Sequence, residues 1–182
     1  MPVSIQQVTL QGKTFELFIS QNQIQERIAE LAAQITREYV GKDPLFLGVL
    51  NGSFLFAADL LKEVPIPCQI SFIKLASYSG TQSTGEVNTL LGLSESMQGR
   101  HVIILEDIID TGLTLQKLLT LVAEKEPASV KVAALLNKPE ARKTEVPTHY
   151  IGFNTPNEFL LGYGLDVDGY GRNLKHIYKL KN

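Results

Sequence analysis

The sequence carries a single cysteine, Cys68, in 182 residues. That excludes an internal disulfide and leaves no second sulfur for a thiolate metal site. Cys68 is expected to be a small buried apolar side chain, and one cysteine fits a reducing cytoplasm. Charge of one sign is also scarce: 17 basic residues against 19 acidic give a net charge of -2. Such a balance points away from nucleic acid as a partner. No apolar run approaches the ~18 residues of a membrane span. The opening MPVSIQQVTLQGKTF lacks a basic stretch followed by an apolar one, so no signal peptide is expected. Repeats and low-complexity tracts are missing. So are G-x-x-x-x-G-K-[ST], H-E-x-x-H and G-x-S-x-G, which argues against a P-loop, a zincin and a nucleophile elbow. The G-x-G pairs at Gly162 and Gly169 lack the third glycine of a dinucleotide fingerprint. His101, His149 and His176 have no ligand spacing and read as structural or surface residues.

What is present is the pattern of one α/β domain over residues 1–182, with 44% hydrophobic and 20% charged residues. Lys13 to Ile19 alternates loosely, as an edge strand would. Ser20 and Gln23 have capping-box spacing ahead of Ile24, Ile28, Leu31 and Ile35, which mark a helix. Leu45 to Leu50 is a short apolar run like a buried parallel strand. A turn at Asn51-Gly52-Ser53 leads to a helix over Phe54 to Lys62. Strands are predicted over Gln69 to Ala76, Thr89 to Leu93, His101 to Leu105 and Val130 to Leu136, with a helix over Gly112 to Glu124. Shorter β segments are expected at Tyr150 to Phe153, Phe159 to Leu161 and within Asn173 to Leu180. The repeated strand–helix–strand order predicts a mainly parallel twisted sheet with helices on both faces.

The informative stretch is Val102 to Leu115, where an apolar strand runs into Glu106, Asp107, Asp110, Thr111, Gly112, Leu113 and Thr114. In an open α/β sheet, ligands bind beyond the carboxyl ends of the strands, which is where Glu106 and Asp107 are expected to leave the sheet. A helix N-terminus offers unpaired N–H groups and partial positive charge. Gly112 allows close backbone approach, and Thr111 and Thr114 add hydroxyls. These features make a cradle for a phosphate monoester. Carboxylates beside it can accept from a sugar diol or hold a divalent cation. Read alone, Asp110 and Thr111 could simply cap the helix. Three acids in so short a stretch at the end of an apolar strand are costly unless they bind something.

Glu106-Asp107-Ile-Ile-Asp110-Thr111-Gly112-Leu113-Thr114-Leu115 resembles the phosphoribosyl-pyrophosphate motif of the type I phosphoribosyltransferases, and looks like their purine branch. The resemblance runs from about residue 45 to 178. It implies the type I α/β fold with a small hood subdomain built from the termini. It implies transfer of the 5-phosphoribosyl group from phosphoribosyl pyrophosphate to hypoxanthine, and guanine, giving IMP or GMP, with Mg2+ as cofactor. A homodimer or homotetramer in the cytoplasm, without nucleic acid or membrane partners, is expected.

The same resemblance assigns residues. Glu106 and Asp107 face the ribose and its metal, and residues 110–114 hold the 5-phosphate. Asp110 is the general base at N7 of the purine. Asn51 and Gly52 belong to the pyrophosphate loop, where many relatives carry lysine in place of Asn51, and the Leu50–Asn51 peptide is often cis. Ser77 and Tyr78 open a polar loop expected to close over the site and exclude water. Lys138 donates to the 6-oxo group, Phe159 stacks on the purine, the Leu160 backbone reads the base edge, Asp166 binds magnesium and Arg172 contacts pyrophosphate. Without the family, Lys138 would read as an ordinary exposed lysine, Phe159 as core and residues 77–87 as a surface loop. Asp166 to Gly171 also resembles the start of a calcium loop, but the twelfth position is Ile177, which excludes it and leaves Asp168 as a turn residue.

Overall fold

The computed structural model describes residues 6–75, 89–91 and 96–181. The loop predicted over residues 77–87, with Ser77 and Tyr78, lies outside them, as do Ala76 and residues 92–93 of two predicted strands.

Two sheets organise the described residues. The larger contains β3 (Leu45–Leu50), β4 (Gln69–Leu75), β5 (Thr89–Leu91), β6 (His101–Ile109), β7 (Ser129–Asn137) and β8 (Tyr150–Asn154) in the order β5-β4-β3-β6-β7-β8. All neighbours are parallel except β5, which pairs antiparallel with β4. The chain winds outward from β3 in one direction and from β6 in the other. The junction of β3 and β6 is therefore the switch point where such sheets open a crevice at their carboxyl ends.

Side-chain alternation explains the layering. Phe46, Ile103, Leu105, Ala133 and Leu135 face one layer with α1 (Gln21–Tyr39) and α2 (Phe54–Lys62). Leu45, Leu47, Val102, Ile104, Val132 and Ala134 face the other with α3 (Leu113–Ala123). Central strands buried on both faces read as continuous apolar runs, as expected for parallel sheets. Each fully buried Leu or Ile there contributes roughly 1.5–3 kcal/mol. Helix α1 starts with the predicted capping box, in which the Ser20 hydroxyl meets the Gln23 N–H and the Gln23 side chain returns to the Ser20 N–H. Its far side is tied to β8 by Arg27, which donates to the carbonyls of Gly152 and Ile151.

The smaller sheet combines both ends of the chain: β1 (Gln7–Leu10), β2 (Lys13–Ile19), β10 (Ile177–Leu180) and β9 (Leu160–Leu161), in the order β1-β2-β10-β9. It has its own core of Phe15, Leu161, Val167 and Tyr178, and forms the predicted hood. Two sequence expectations change here. Lys13 to Ile19 is an interior strand of this sheet, not an edge, because β1 pairs with its outer side. The hairpin joining them turns on Gln11 and Gly12, both at positive φ, as a two-residue loop requires. Cys68 is only partly buried and packs against the main core, where burial raises its thiol pKa.

Candidate active site

β6 reaches further than its apolar run suggests. Its pairing with β3 stops at Gly48 opposite Leu105, while β7 continues alongside it to Ile109 opposite Asn137. Glu106 and Asp107 thus stay within the strand instead of leaving it. They sit where one neighbour has ended and the other has not. This one-sided end places both acids on the crevice.

Glu106 is 6% exposed. Burial, assisted by the charge of Asp107, holds its pKa well above the usual carboxylate range. Asp107 is pushed up to about 6 by burial, reinforced by Asp166, although the backbone N–H of Ile108 and the charge of Arg172 pull the other way. Its Oδ1 accepts from that N–H at 2.9 Å. Its other oxygen lies against the loop after β3: a Cβ on Gly52 would stand 1.6 Å from Asp107 Oδ2. The Leu50–Asn51 peptide entering that loop is cis.

After Ile109 the chain bends at Asp110 and enters α3 through Gly112, at φ 83°. No side chain caps this helix. Asp110 and Thr111 therefore do not serve as its cap, apart from a 3.4 Å contact from the Leu113 N–H to Thr111 Oγ1. The first turn keeps donors for a ligand. Residues 106–112 with Thr114 and Leu115 line a cavity of about 210 Å³. Leu113 is 45% exposed and projects away from the core.

Lys138 follows directly after β7 and stands beside Asp110. Its side chain is almost wholly buried, and Nζ lies 3.6 Å from Oδ2 of the half-exposed Asp110. The Lys138 N–H also donates to the Ile109 carbonyl at 2.9 Å. The following segment walls the start of α3. The Lys143 N–H donates to the Thr111 carbonyl at 3.0 Å, and the Thr144 carbonyl would stand 2.9 Å from a Cβ on Gly112. Arg142 reaches back to the Asn137 amide.

Phe159 projects from the hood, 45% exposed and therefore not a core residue. Its ring is 6.1 Å from that of Phe15, with the Lys13 ammonium 5.6 Å from its centroid. Leu160 beside it is buried. Asp166 and Arg172 are paired at 2.6 Å, and Arg172 also donates to the Gly164 carbonyl at 2.6 Å. Asn51 and Arg172 line a second hollow of about 550 Å³ with Phe54 and residues 169–171. Asp168, at φ 51°, is exposed in a turn. Among the described residues no group of three His, Cys, Asp or Glu is placed to hold a metal. Glu106, Asp107 and Asp166 therefore do not form a ready-made ligand set.

Sequence reading missed the wall formed by residues 142–144 and the contact of Gly164 with Gly52, where a Cβ on Gly164 would stand 2.0 Å from the Gly52 carbonyl oxygen. Neither has a spacing signature, since each pairs segments far apart in the chain.

Known proteins resemble this chain over most of its length. The profile of the phosphoribosyl transferase domain matches residues 20–168. A hypoxanthine-guanine phosphoribosyltransferase of Streptococcus pneumoniae is 42% identical over 173 residues, covering 94% of this chain and 96% of that protein. A hypoxanthine phosphoribosyltransferase of Escherichia coli is 42% identical over 170 residues, covering 92% and 96%. Among solved structures, a hypoxanthine phosphoribosyltransferase from Staphylococcus aureus superposes with a TM-score of 0.87 at 39% identity, covering 91% of each chain.

Proposed function

The chain belongs to the hypoxanthine–guanine phosphoribosyltransferase family, and on that premise we propose that it moves the 5-phosphoribosyl group of phosphoribosyl pyrophosphate onto N9 of hypoxanthine, and of guanine, releasing pyrophosphate. The observation that carries the assignment of roles is the meeting of Lys138 and Asp110 at the mouth of the uncapped α3 cavity. A cation and a carboxylate thus meet beside the start of α3, which supports reading that helix end as a phosphate cradle.

In this reading the first turn of α3, Thr111 to Thr114, takes the 5-phosphate through backbone N–H groups and hydroxyls. Glu106 and Asp107 face the ribose hydroxyls. Asp110 handles the proton at N7, a task for a carboxylate within hydrogen-bond reach of the base. Lys138 donates to the 6-oxo group and, beside Asp110, links base recognition to proton transfer. Phe159 offers an open ring face for stacking, and the Leu160 backbone meets the base edge. Asn51, Gly52 and Arg172 flank the hollow proposed for pyrophosphate, with Asn51 supplying an amide where many relatives supply a charge.

Magnesium is the cofactor this reading calls for, with Asp107 and Asp166 the carboxylates that would hold it. The charge of Asp166 raises the pKa of Asp107, and a bound dication would supply the positive charge that offsets this repulsion. Such an ion usually takes one or two carboxylates and completes its shell with water and substrate phosphate oxygens. It would neutralise the departing pyrophosphate. We also place the protein in the cytoplasm as a homodimer or homotetramer; light scattering that finds only monomer would contradict the assembly.

The test is nucleotide formation from hypoxanthine, guanine, xanthine or adenine with phosphoribosyl pyrophosphate and magnesium. Turnover confined to 6-oxopurines supports the assignment. No turnover with any purine overturns it.

A further inference from the structure

The hood segment that carries Leu160 at one end and Asp166 at the other is pinned in its middle by a residue with no part in the chemistry above. Tyr163 is 4% exposed and holds φ 49°, between Gly162 at 99° and Gly164 at 100°. An aromatic residue in left-handed backbone is held there by its surroundings. Its hydroxyl donates to Asp59 Oδ2 at 2.5 Å. The Gln25 amide donates to the same oxygen at 2.7 Å, and Lys62 meets the other at 2.6 Å.

Asp59 lies on α2, the helix that begins directly after the Asn51–Gly52 loop. Gln25 lies on α1. Tyr163 therefore fastens the hood segment to the two helices that back the sheet. One residue on, Gly164 rests on the Gly52 carbonyl with no room for a Cβ, and Gly52 rests likewise on Asp107. The Gly164 N–H donates to the Arg172 carbonyl at 2.9 Å, and its own carbonyl accepts from the Arg172 guanidinium.

We infer that Tyr163, Asp59 and Gln25 form a positioning clamp that sets Asp166 and Arg172 against Asp107 and the Gly52 loop, and so governs the pyrophosphate half of the site. The inference deepens the function proposed above and rests on it for its kinetic consequence. A hydrogen bond to a carboxylate is a strong one, and misplacement of about an ångström at a binding constellation is costly. The purine half rests on Lys138, directly after β7, and on Phe159 and Leu160, which pairing with β10 holds apart from Tyr163, so the two substrates should respond differently.

Tyr163→Phe and Asp59→Ala, singly and together, separate these possibilities in the full chain. Expected for Tyr163→Phe is a KM for phosphoribosyl pyrophosphate raised roughly tenfold, with the KM for hypoxanthine within about twofold of the parent. The double variant should be little worse than Asp59→Ala alone, because either change removes the Tyr163–Asp59 bond. Amide hydrogen exchange at Gly164 should quicken in each variant. A thermal midpoint that falls while both KM values hold marks a purely structural bond and overturns the clamp, as does unchanged exchange at Gly164. A parent protein that turns over no purine sinks the functional reading instead, and the exchange measurement still decides the clamp.

Discussion

The ammonium of Lys138, buried directly after β7, stands 3.6 Å from the carboxylate of Asp110, which is half exposed at the bend before α3. Burying an ammonium is costly unless a carboxylate stands nearby. The pair is therefore both a structural solution for Lys138 and a functional arrangement for Asp110.

Replacing Asp110 by Asn should lower kcat by about 10² to 10⁴, the usual worth of a general acid–base group. The side chain is half exposed, so the thermal midpoint should move little. Binding of phosphoribosyl pyrophosphate, followed by calorimetry, should persist. A variant with parental kcat would remove Asp110 from the chemistry.

Lys138→Met keeps the buried stem and removes the ammonium. The KM for hypoxanthine should rise by about tenfold or more, since a charged hydrogen bond to the base is lost. The KM for phosphoribosyl pyrophosphate should stay close to the parent value. Steady-state kinetics with each substrate varied in turn checks the split. Equal effects on both would point to a general collapse of the crevice.

Three glycines give a graded series. Gly52→Ala would put a methyl group 1.6 Å from Asp107 Oδ2, and Gly164→Ala would put one 2.0 Å from a backbone carbonyl at φ +100°. Gly169→Ala meets nothing within 4 Å and suffers only its φ of +85°. The first two should cost roughly 3 kcal/mol or more in denaturant unfolding. The third should cost about 1 kcal/mol. Equal losses across the series would show that contact with the crevice is not what restricts Gly52 and Gly164.

Asp107 predicts a pH signature in chelator-treated protein. Its folded pKa, about 6, lies above its ordinary value of 3.8, so the native state holds its proton more tightly than the unfolded chain. Its contribution favours folding fully below about 3.8 and is lost as pH rises through about 6. Asp107→Asn, which can still accept from the Ile108 N–H, should therefore be more stable than the parent at pH 8, by roughly 1–3 kcal/mol. The gap should close by pH 4. Thermal midpoints across that range, with and without magnesium, check both the sign and the ion. Magnesium should narrow the gap at pH 8 by stabilising the parent alone.

Local chemistry was legible wherever it depends on neighbours in the chain. The capping box at Ser20, the apolar runs of β3, β6 and β7, and the acid-rich passage into α3 all follow from periodicity, composition and helix-end physics. The family resemblance added Lys138, Phe159 and Asp166. Strand ends were less legible. β6 extends to Ile109 because β7 still pairs with it, and no property of Glu106 or Asp107 announces a partner. Apart from the family resemblance, the hood was visible only as loose β segments, because the pairing of β2 with β10 joins residues near opposite ends of the chain.

The sequence by itself determined which side chains could do chemistry and that a strand would deliver them to a helix start, since both depend on short-range backbone geometry. Tertiary structure alone decided how close they stand. The 3.6 Å approach of Lys138 to Asp110, the stacking of Gly164 on Gly52 and Gly52 on Asp107, and the anchoring of Tyr163 to Asp59 come from the packing of the hood, helices and sheet. Dense packing makes those distances a property of the whole fold, and they are distances that no stretch of chain encodes alone.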